Sequence, residues 1–225
     1  MAIKILPSIT TTNQDMAMIQ IEELRQLNLK EAGLFITGLQ TTEERMIFMR
    51  TVKQYLPDIV FPLVHIRSDS TAEEAEFCLE NFGTFWMNIH GNHYKKFQES
   101  DLYQFKQFII AENSKDLKRK HMEHFAGVCL DISHYYEDLH NQEKWVEEVT
   151  EVINEYPIRC NHISAAKHKG KEVWIEHVGN YFYDFDYLTE FPQKYFGTTC
   201  SCLEIENTIH TQLKYIEYIN KKLCI

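Results

Sequence analysis

The chain has no apolar run approaching the roughly 20 residues that cross a bilayer, which excludes a spanning helix from its expected elements. Its opening stretch, MAIKILPSIT, lacks the long apolar centre of a signal peptide, because Lys4 and Pro7 interrupt it. The expectation is a soluble, cytoplasmic protein with no membrane partner. There is no C-x-x-C pair among Cys78, Cys129, Cys160, Cys200, Cys202 and Cys224, so zinc ribbons and dithiol redox motifs are disfavoured. Several of these cysteines fall inside strand-like runs and read as small, reduced core residues. Positive charge is also scarce. Lysine and arginine number 23 against 33 acids, for a net charge of −10, the reverse of what a protein gripping phosphate backbones carries. That counts against nucleic acid as a partner. Linkers, repeats and low-complexity tracts are absent as well.

What is present is 225 residues with 44% hydrophobic content, enough for one sizeable core. The expectation is a single domain spanning residues 1–225. Eight short apolar runs read as strands: IKIL near Lys4, GLFIT near Phe35, IVFPLVHI from Ile59, FWMNIH from Phe85, FIIAEN from Phe108, GVCLDI from Gly127, IRCNHI from Ile158 and CSCLEIE from Cys200. Between them lie amphipathic segments such as TNQDMAMIQIEELRQL, TTEERMIFMRTVKQYL, STAEEAEFCLENF and TIHTQLKYIEYINKKL. Thr12, Thr41 and Ser70 are candidate N-caps for the first three. Eight β-α units in this length are about 28 residues each, the compact end of an α/β fold of the (β/α)8 TIM-barrel type. An open doubly wound sheet is the competitor, and its usual strand number leaves some of these runs unplaced.

Residues able to ligate metal recur where these strands end: His65, His90, Glu112, Asp131, His162 and Glu204. In a parallel barrel all C-terminal strand ends open on one face, so six such residues converge in one bowl. A carboxylate such as Asp131, closing the apolar run GVCL, is costly to bury unless a cation meets it. A divalent metal held around the rim answers that need, and mixed imidazole and carboxylate ligands suit manganese, zinc, cobalt or iron. Period-2 alternation then places Cys129, Cys160 and Cys202 inward, one layer below Asp131, His162 and Glu204. Leu63, Asn88 and Ile110 take the same place below His65, His90 and Glu112.

In order, these motifs resemble the xylose isomerase-like TIM-barrel superfamily, which includes sugar isomerases, ketose 3-epimerases, hydroxypyruvate isomerase, inosose dehydratase and endonuclease IV. AEN at 111–113 is similar to that family's strand-five glutamate, LDISH at 130–134 to its L-D-x-x-H, NHIS at 161–164 to its strand-seven histidine and LEIEN at 203–207 to its strand-eight glutamate. The likeness runs from about residue 58 to the end. It implies that Glu112, Asp131, His162 and Glu204 are the metal ligands and that His134 touches substrate. It further implies a metal-dependent isomerase or epimerase of a small sugar, sugar phosphate or hydroxy-keto acid. In that chemistry the metal stabilises an enediolate, and Glu112 and Glu204 move the proton.

MNIHGN and LVHIRS carry a second resemblance, since His90 and His65 are similar to the additional zinc ligands of endonuclease IV. With Glu112 they would hold a second metal, as phosphodiester hydrolysis requires. That family's Asp-x-His pair is missing, however, and Glu176 and His177 stand side by side in its place. Many sugar-isomerase relatives carry an arginine after the strand-seven histidine, where this chain has Lys167, His168 and Lys169. His168 and its neighbours are therefore candidates to hold a substrate phosphate or carboxylate, and His65 and His90 to line the substrate pocket. A third reading is a catalytically silent barrel serving as a binding or scaffold protein. The expected partner is a small molecule, a sugar or sugar phosphate, and association with further copies of the chain stays open.

Overall fold

The computed structural model describes residues 3–115 and 117–224, and in it strands and helices alternate from end to end. The chain begins with β1 (Ile5–Leu6), β2 (Ser8–Thr10) and α1 (Gln14–Gln26), then β3 (Gly33–Phe35), α2 (Thr42–Tyr55), β4 (Leu63–His65) and α3 (Ala72–Phe82). It continues with β5 (Trp86–His90), α4 (Tyr94–Glu99), β6 (Ile109–Glu112), β7 (Val128–Asp131), α5 (Ile132–His140) and α6 (Val146–Glu155). β8 (Ile158–Ile163), β9 (Ala165–Lys169), β10 (Glu172–Glu176), β11 (Cys200–Leu203) and α7 (Ile209–Leu223) complete it. Nine strand segments form one parallel ladder in the order β1-β11-β8-β7-β6-β5-β4-β3-β2.

That ladder is an α/β barrel with eight strand positions, because β1 and β2 are two halves of one strand. Pro7 separates them, and its missing N–H ends the pairing of β1. On one side Ser201 N donates to Lys4 O at 2.7 Å, and on the other Gly33 N donates to Pro7 O at 2.8 Å. The Ser8 hydroxyl also donates to Leu203 O across the seam. The N-terminal strand thus closes the ring by handing its hydrogen bonds from the last strand to the second.

Two apolar clusters pack helices on the outside of the sheet, and a third fills the barrel. The inner one contains Leu6, Phe35, Leu63, Ile110, Cys129, Cys160, Cys200 and Cys202, as the strand alternation predicts. All six cysteines are free thiols, and Cys224 is the exposed one among them. Gly33 makes room for this packing, since a Cβ there would lie 2.8 Å from the Cys202 sulfur. Between α2 and α3 the buried Arg45 guanidinium pairs with buried Glu74, whose other oxygen accepts from Thr71 N at 2.6 Å.

Some local expectations shift. Thr41 caps α2 in a full capping box, but α1 is capped by Asn13 rather than Thr12, and α3 by Thr71 rather than Ser70. Each true cap puts its oxygen on the N–H three residues ahead, Met16 and Glu74 respectively, while the Ser70 hydroxyl accepts from Arg67 N at 3.2 Å. The basic run KDLKRKH at 115–121 leads into a 3₁₀ segment over Arg119–His124, and its Asp116 lies outside the described residues. The residues after the strand-seven histidine form the antiparallel hairpin β9–β10. Among the described residues no helix is long and apolar enough to cross a membrane.

Candidate metal centre

Every expected strand-end residue except His90 is largely buried, and the barrel register explains why they meet. Parallel pairing sets His65 beside Asn88, His90 beside Glu112 and Asp131 beside His162, so the staggered ends rise around one bowl. Glu112 stands at its centre. Its Oε2 lies 3.2 Å from His65 Nε2 and 3.5 Å from His162 Nδ1, and its Oε1 lies 3.5 Å from His90 Nε2. Glu204 faces the same imidazoles, with Oε2 3.2 Å from His162 Nδ1 and Oε1 3.9 Å from His65 Nδ1.

These side chains form three overlapping groups whose ligand atoms lie within 4.8 Å of one another: His65–His162–Glu204, His65–His90–Glu112 and Glu112–Asp131–His162. Glu112, Asp131, His162 and Glu204 are therefore brought to one bowl, but Asp131 and Glu204 belong to different groups. His65, expected only to line the pocket or to serve a second metal, stands in two groups. The donor set fits a divalent transition ion, as a second observation shows: His65 Nδ1 and His162 Nδ1 are buried without a hydrogen-bond partner. Each has a carboxylate nearby but not aligned to it. Buried imidazole nitrogens left so are costly without a cation to meet them.

The charge states of the carboxylates and of His65 suit ligation. Burial disfavours a proton on His162, yet Cys129, Glu112 and Glu204 raise its imidazole well above the usual value, so an ion displaces that proton on binding. Burial opposes ionisation of Glu112, yet the imidazoles of His65, His162 and His90 hold its carboxyl well below the usual range. Glu204 is lowered in the same way, burial being outweighed by His162 and His65. Burial lowers the His65 imidazole to about 4, which leaves it a neutral donor at pH 7. Asp131 is raised, first by burial and then by the charges of Glu204 and Glu112.

Supporting residues are anchored by hydrogen bonds that the motifs only hinted at. Asn113 of AEN clamps the backbone of Asp131 from both sides, accepting from its N at 2.5 Å and donating to its O at 3.2 Å. The Asp131 carboxylate in turn accepts from His134 N at 2.9 Å and so caps α5. His177, previously only a mismatch to another motif, shares the Glu204 carbonyl with the Ser164 hydroxyl, at 2.9 and 3.0 Å. Gly91 lets the end of β5 approach, since a Cβ there would meet Leu117 at 2.5 Å and Glu112 O at 3.0 Å.

The two remaining expected substrate contacts, His134 and His168, part ways. His134 stands above the bowl at the start of α5 and bonds Glu137 through Nδ1 at 2.8 Å; the charge of Asp131 pushes its imidazole up to about 10. His168 is not gathered with the others. It is exposed on β9, its ring 6.0 Å from that of Tyr136, because the hairpin carries it away from the strand end. Its neighbour Lys167 is paired with buried Asp184.

No protein-family model matches this sequence, and no curated protein matches it either. Among solved structures, the crystal structure of a xylose isomerase domain protein from Planctomyces limnophilus aligns over 99% of this chain and 97% of its own, with a TM-score of 0.50 and 11% identity. At that identity the likeness speaks for the architecture, and with the closed ladder it establishes that the chain has a xylose isomerase-like TIM-barrel fold.

Proposed function

We propose that the protein is a divalent-metal-dependent isomerase or epimerase of a small sugar. The observation that carries this reading is the pair of carboxylates, Glu112 and Glu204, facing the same two buried imidazoles whose Nδ1 atoms have no hydrogen-bond partner. His65, His162, Glu112, Glu204 and Asp131 would hold the ion. A bound divalent cation would polarise neighbouring carbonyl and hydroxyl oxygens and acidify the carbon-bound hydrogen between them. Glu112 and Glu204, both ionised, are the groups able to take that proton and return it. His134, held by Glu137 above the bowl, offers its second ring nitrogen to a substrate oxygen.

Within the class of sugars, sugar phosphates and hydroxy-keto acids, the mouth favours an uncharged sugar. A cleft of about 480 Å³ opens between His90 and His134, and its lining includes Glu137, Asp138 and Glu143. The nearby cations are already engaged. Lys115 lies 5.0 Å above the Trp145 ring, Arg67 bonds Asp69 at 2.9 Å and Thr37 O at 3.2 Å, and Lys167 pairs with Asp184. A phosphate would meet three carboxylates with His134, already bonded to Glu137, and Lys115 as the lining's cations to offset them, whereas sugar hydroxyls can donate to those carboxylates.

The test is metal analysis of purified protein combined with an isomerisation screen of unphosphorylated aldoses and ketoses against their phosphate esters. One bound ion per chain with turnover of a neutral sugar is expected; a protein that retains no metal after loading would point to a silent scaffold instead. A second reading, a metal-dependent phosphodiesterase like endonuclease IV, draws on the His65–His90–Glu112 group, which shares Glu112 with the first. Two or three ions per chain and cleavage of an abasic duplex would favour it.

A further inference from the structure

One layer beneath the candidate ligands the barrel is filled by Leu63, Ile110 and the thiols of Cys129, Cys160 and Cys202, and among them stands a carboxamide, Asn88, with no exposure to solvent. A buried amide without partners is costly, so its bonds identify what holds it there. Asn88 Nδ2 donates to Glu112 Oε2 at 2.7 Å, and Asn88 Oδ1 faces His162 Nε2 at 3.3 Å. An amide oxygen only accepts, so this second bond needs the proton on Nε2. The lone pair of a neutral His162 imidazole then lies on Nδ1, the atom 3.2 Å from Glu204 and 3.5 Å from Glu112 that has no hydrogen-bond partner.

We propose that Asn88 is a positioning residue: it fixes His162 in the Nε2–H tautomer, so that Nδ1 is the atom presented to a divalent cation, and it clamps Glu112 toward the same point. This rests on reading the bowl as a metal centre. Groups that orient a ligand from behind change metal affinity by about 10- to 100-fold when removed. A leucine at this position would match Leu63 in character but could neither accept from the imidazole nor donate to the carboxylate. An aspartate would keep the acceptor for Nε2–H and lose the donor to Glu112.

The experiment uses the whole chain labelled with ¹⁵N-histidine and loaded with zinc(II), with long-range ¹H–¹⁵N spectra to find which nitrogen of His162 binds, and competition titrations for affinity. The expected result is zinc on Nδ1 with a proton retained on Nε2. Asn88→Leu should weaken zinc about 10- to 100-fold and lose that signature while its circular dichroism stays unchanged, whereas Asn88→Asp should keep the signature. Zinc on Nε2 in the unaltered protein, or wild-type affinity with the Nδ1 signature in Asn88→Leu, overturns the inference and leaves the metal centre standing. A protein that takes up no zinc overturns the metal centre, and the inference with it. Should the leucine variant not fold, the coordinating atom in the unaltered protein decides alone.

Discussion

Glu112 touches three imidazoles and one amide through two oxygens, so its substitutions test the site most directly. Glu112→Gln keeps the volume but supplies a poorer ligand that cannot accept a proton. Turnover should fall to background and retained metal should drop, as read by elemental analysis after dialysis. His90, and not His65, separates the one-ion and two-ion readings. Since His65 belongs to two of the three groups, His65→Ala should lower metal content under either; His90→Ala should leave it unchanged in a one-ion isomerase and remove an ion from a two-ion hydrolase. The six strand-end residues were legible because metal-ligand side chains stand out at the end of apolar runs. Asn88 and Asn113 were not, since an asparagine in a strand or after it has no pattern that reveals its partner. Asn88 bonds residues 24 and 74 positions away, a separation no local motif encodes.

At the scale of the element, the junction of β7 and α5 joins folding to chemistry, because Asp131 both caps the helix and faces the bowl. Asparagine caps as well as aspartate but is a poorer metal ligand. Asp131→Asn should therefore melt within a few degrees of the unaltered protein in the metal-free state yet bind metal more weakly. Asp131→Ala should lose both, at a cost to stability of about 1 kcal/mol for the missing cap. Equal loss of metal-free stability in the two variants, measured by urea denaturation, would show that the carboxylate charge and not the cap holds α5. Helices and strands were legible here in type, through the 3.6- and 2-residue periods, and less so in their ends. Thr12–Asn13 and Ser70–Thr71 each offer two adjacent capping side chains, and backbone direction chooses between them. The β9–β10 hairpin escaped because Lys167, Lys169, Glu172 and Glu176 share one face and leave only Ala166, Val173 and Ile175 as apolar residues on the other, too few to stand out as strands; Gly170 in the left-handed region, at φ +66°, makes the turn.

For the whole molecule, the barrel was legible from eight apolar runs and from a length that fills eight compact units. Its closure was not, because the seam depends on Pro7 splitting one strand between two partners, and a proline in a strand reads first as an interruption. The same architecture gathers histidines with opposite titration behaviour around one bowl, and this gives metal-free protein a defined stability profile. Burial lowers His65 from 6.5 to about 4, so the unfolded chain takes up a proton below pH 6.5 that the folded chain refuses until about 4. Stability from this group falls as pH drops through that window, by at most about 1.4 kcal/mol per unit. Asp131 raises His134 from 6.5 to about 10, so the folded chain keeps a proton that the unfolded chain has lost. That contribution is complete below pH 6.5 and disappears as pH rises toward 10, and with the side chain 44% exposed solvent screening reduces it. Urea midpoints of chelator-treated protein should therefore be highest near pH 6.5 and lower at both 4.5 and 9. His65→Gln should make the acid side shallower and His134→Gln the alkaline side, each in part, because Glu112 and Glu204, held low, add to the first and His162 and His90, held high, to the second. A midpoint that climbs steadily from 4.5 to 9, unchanged by either substitution, would mean that neither imidazole is held as this geometry requires.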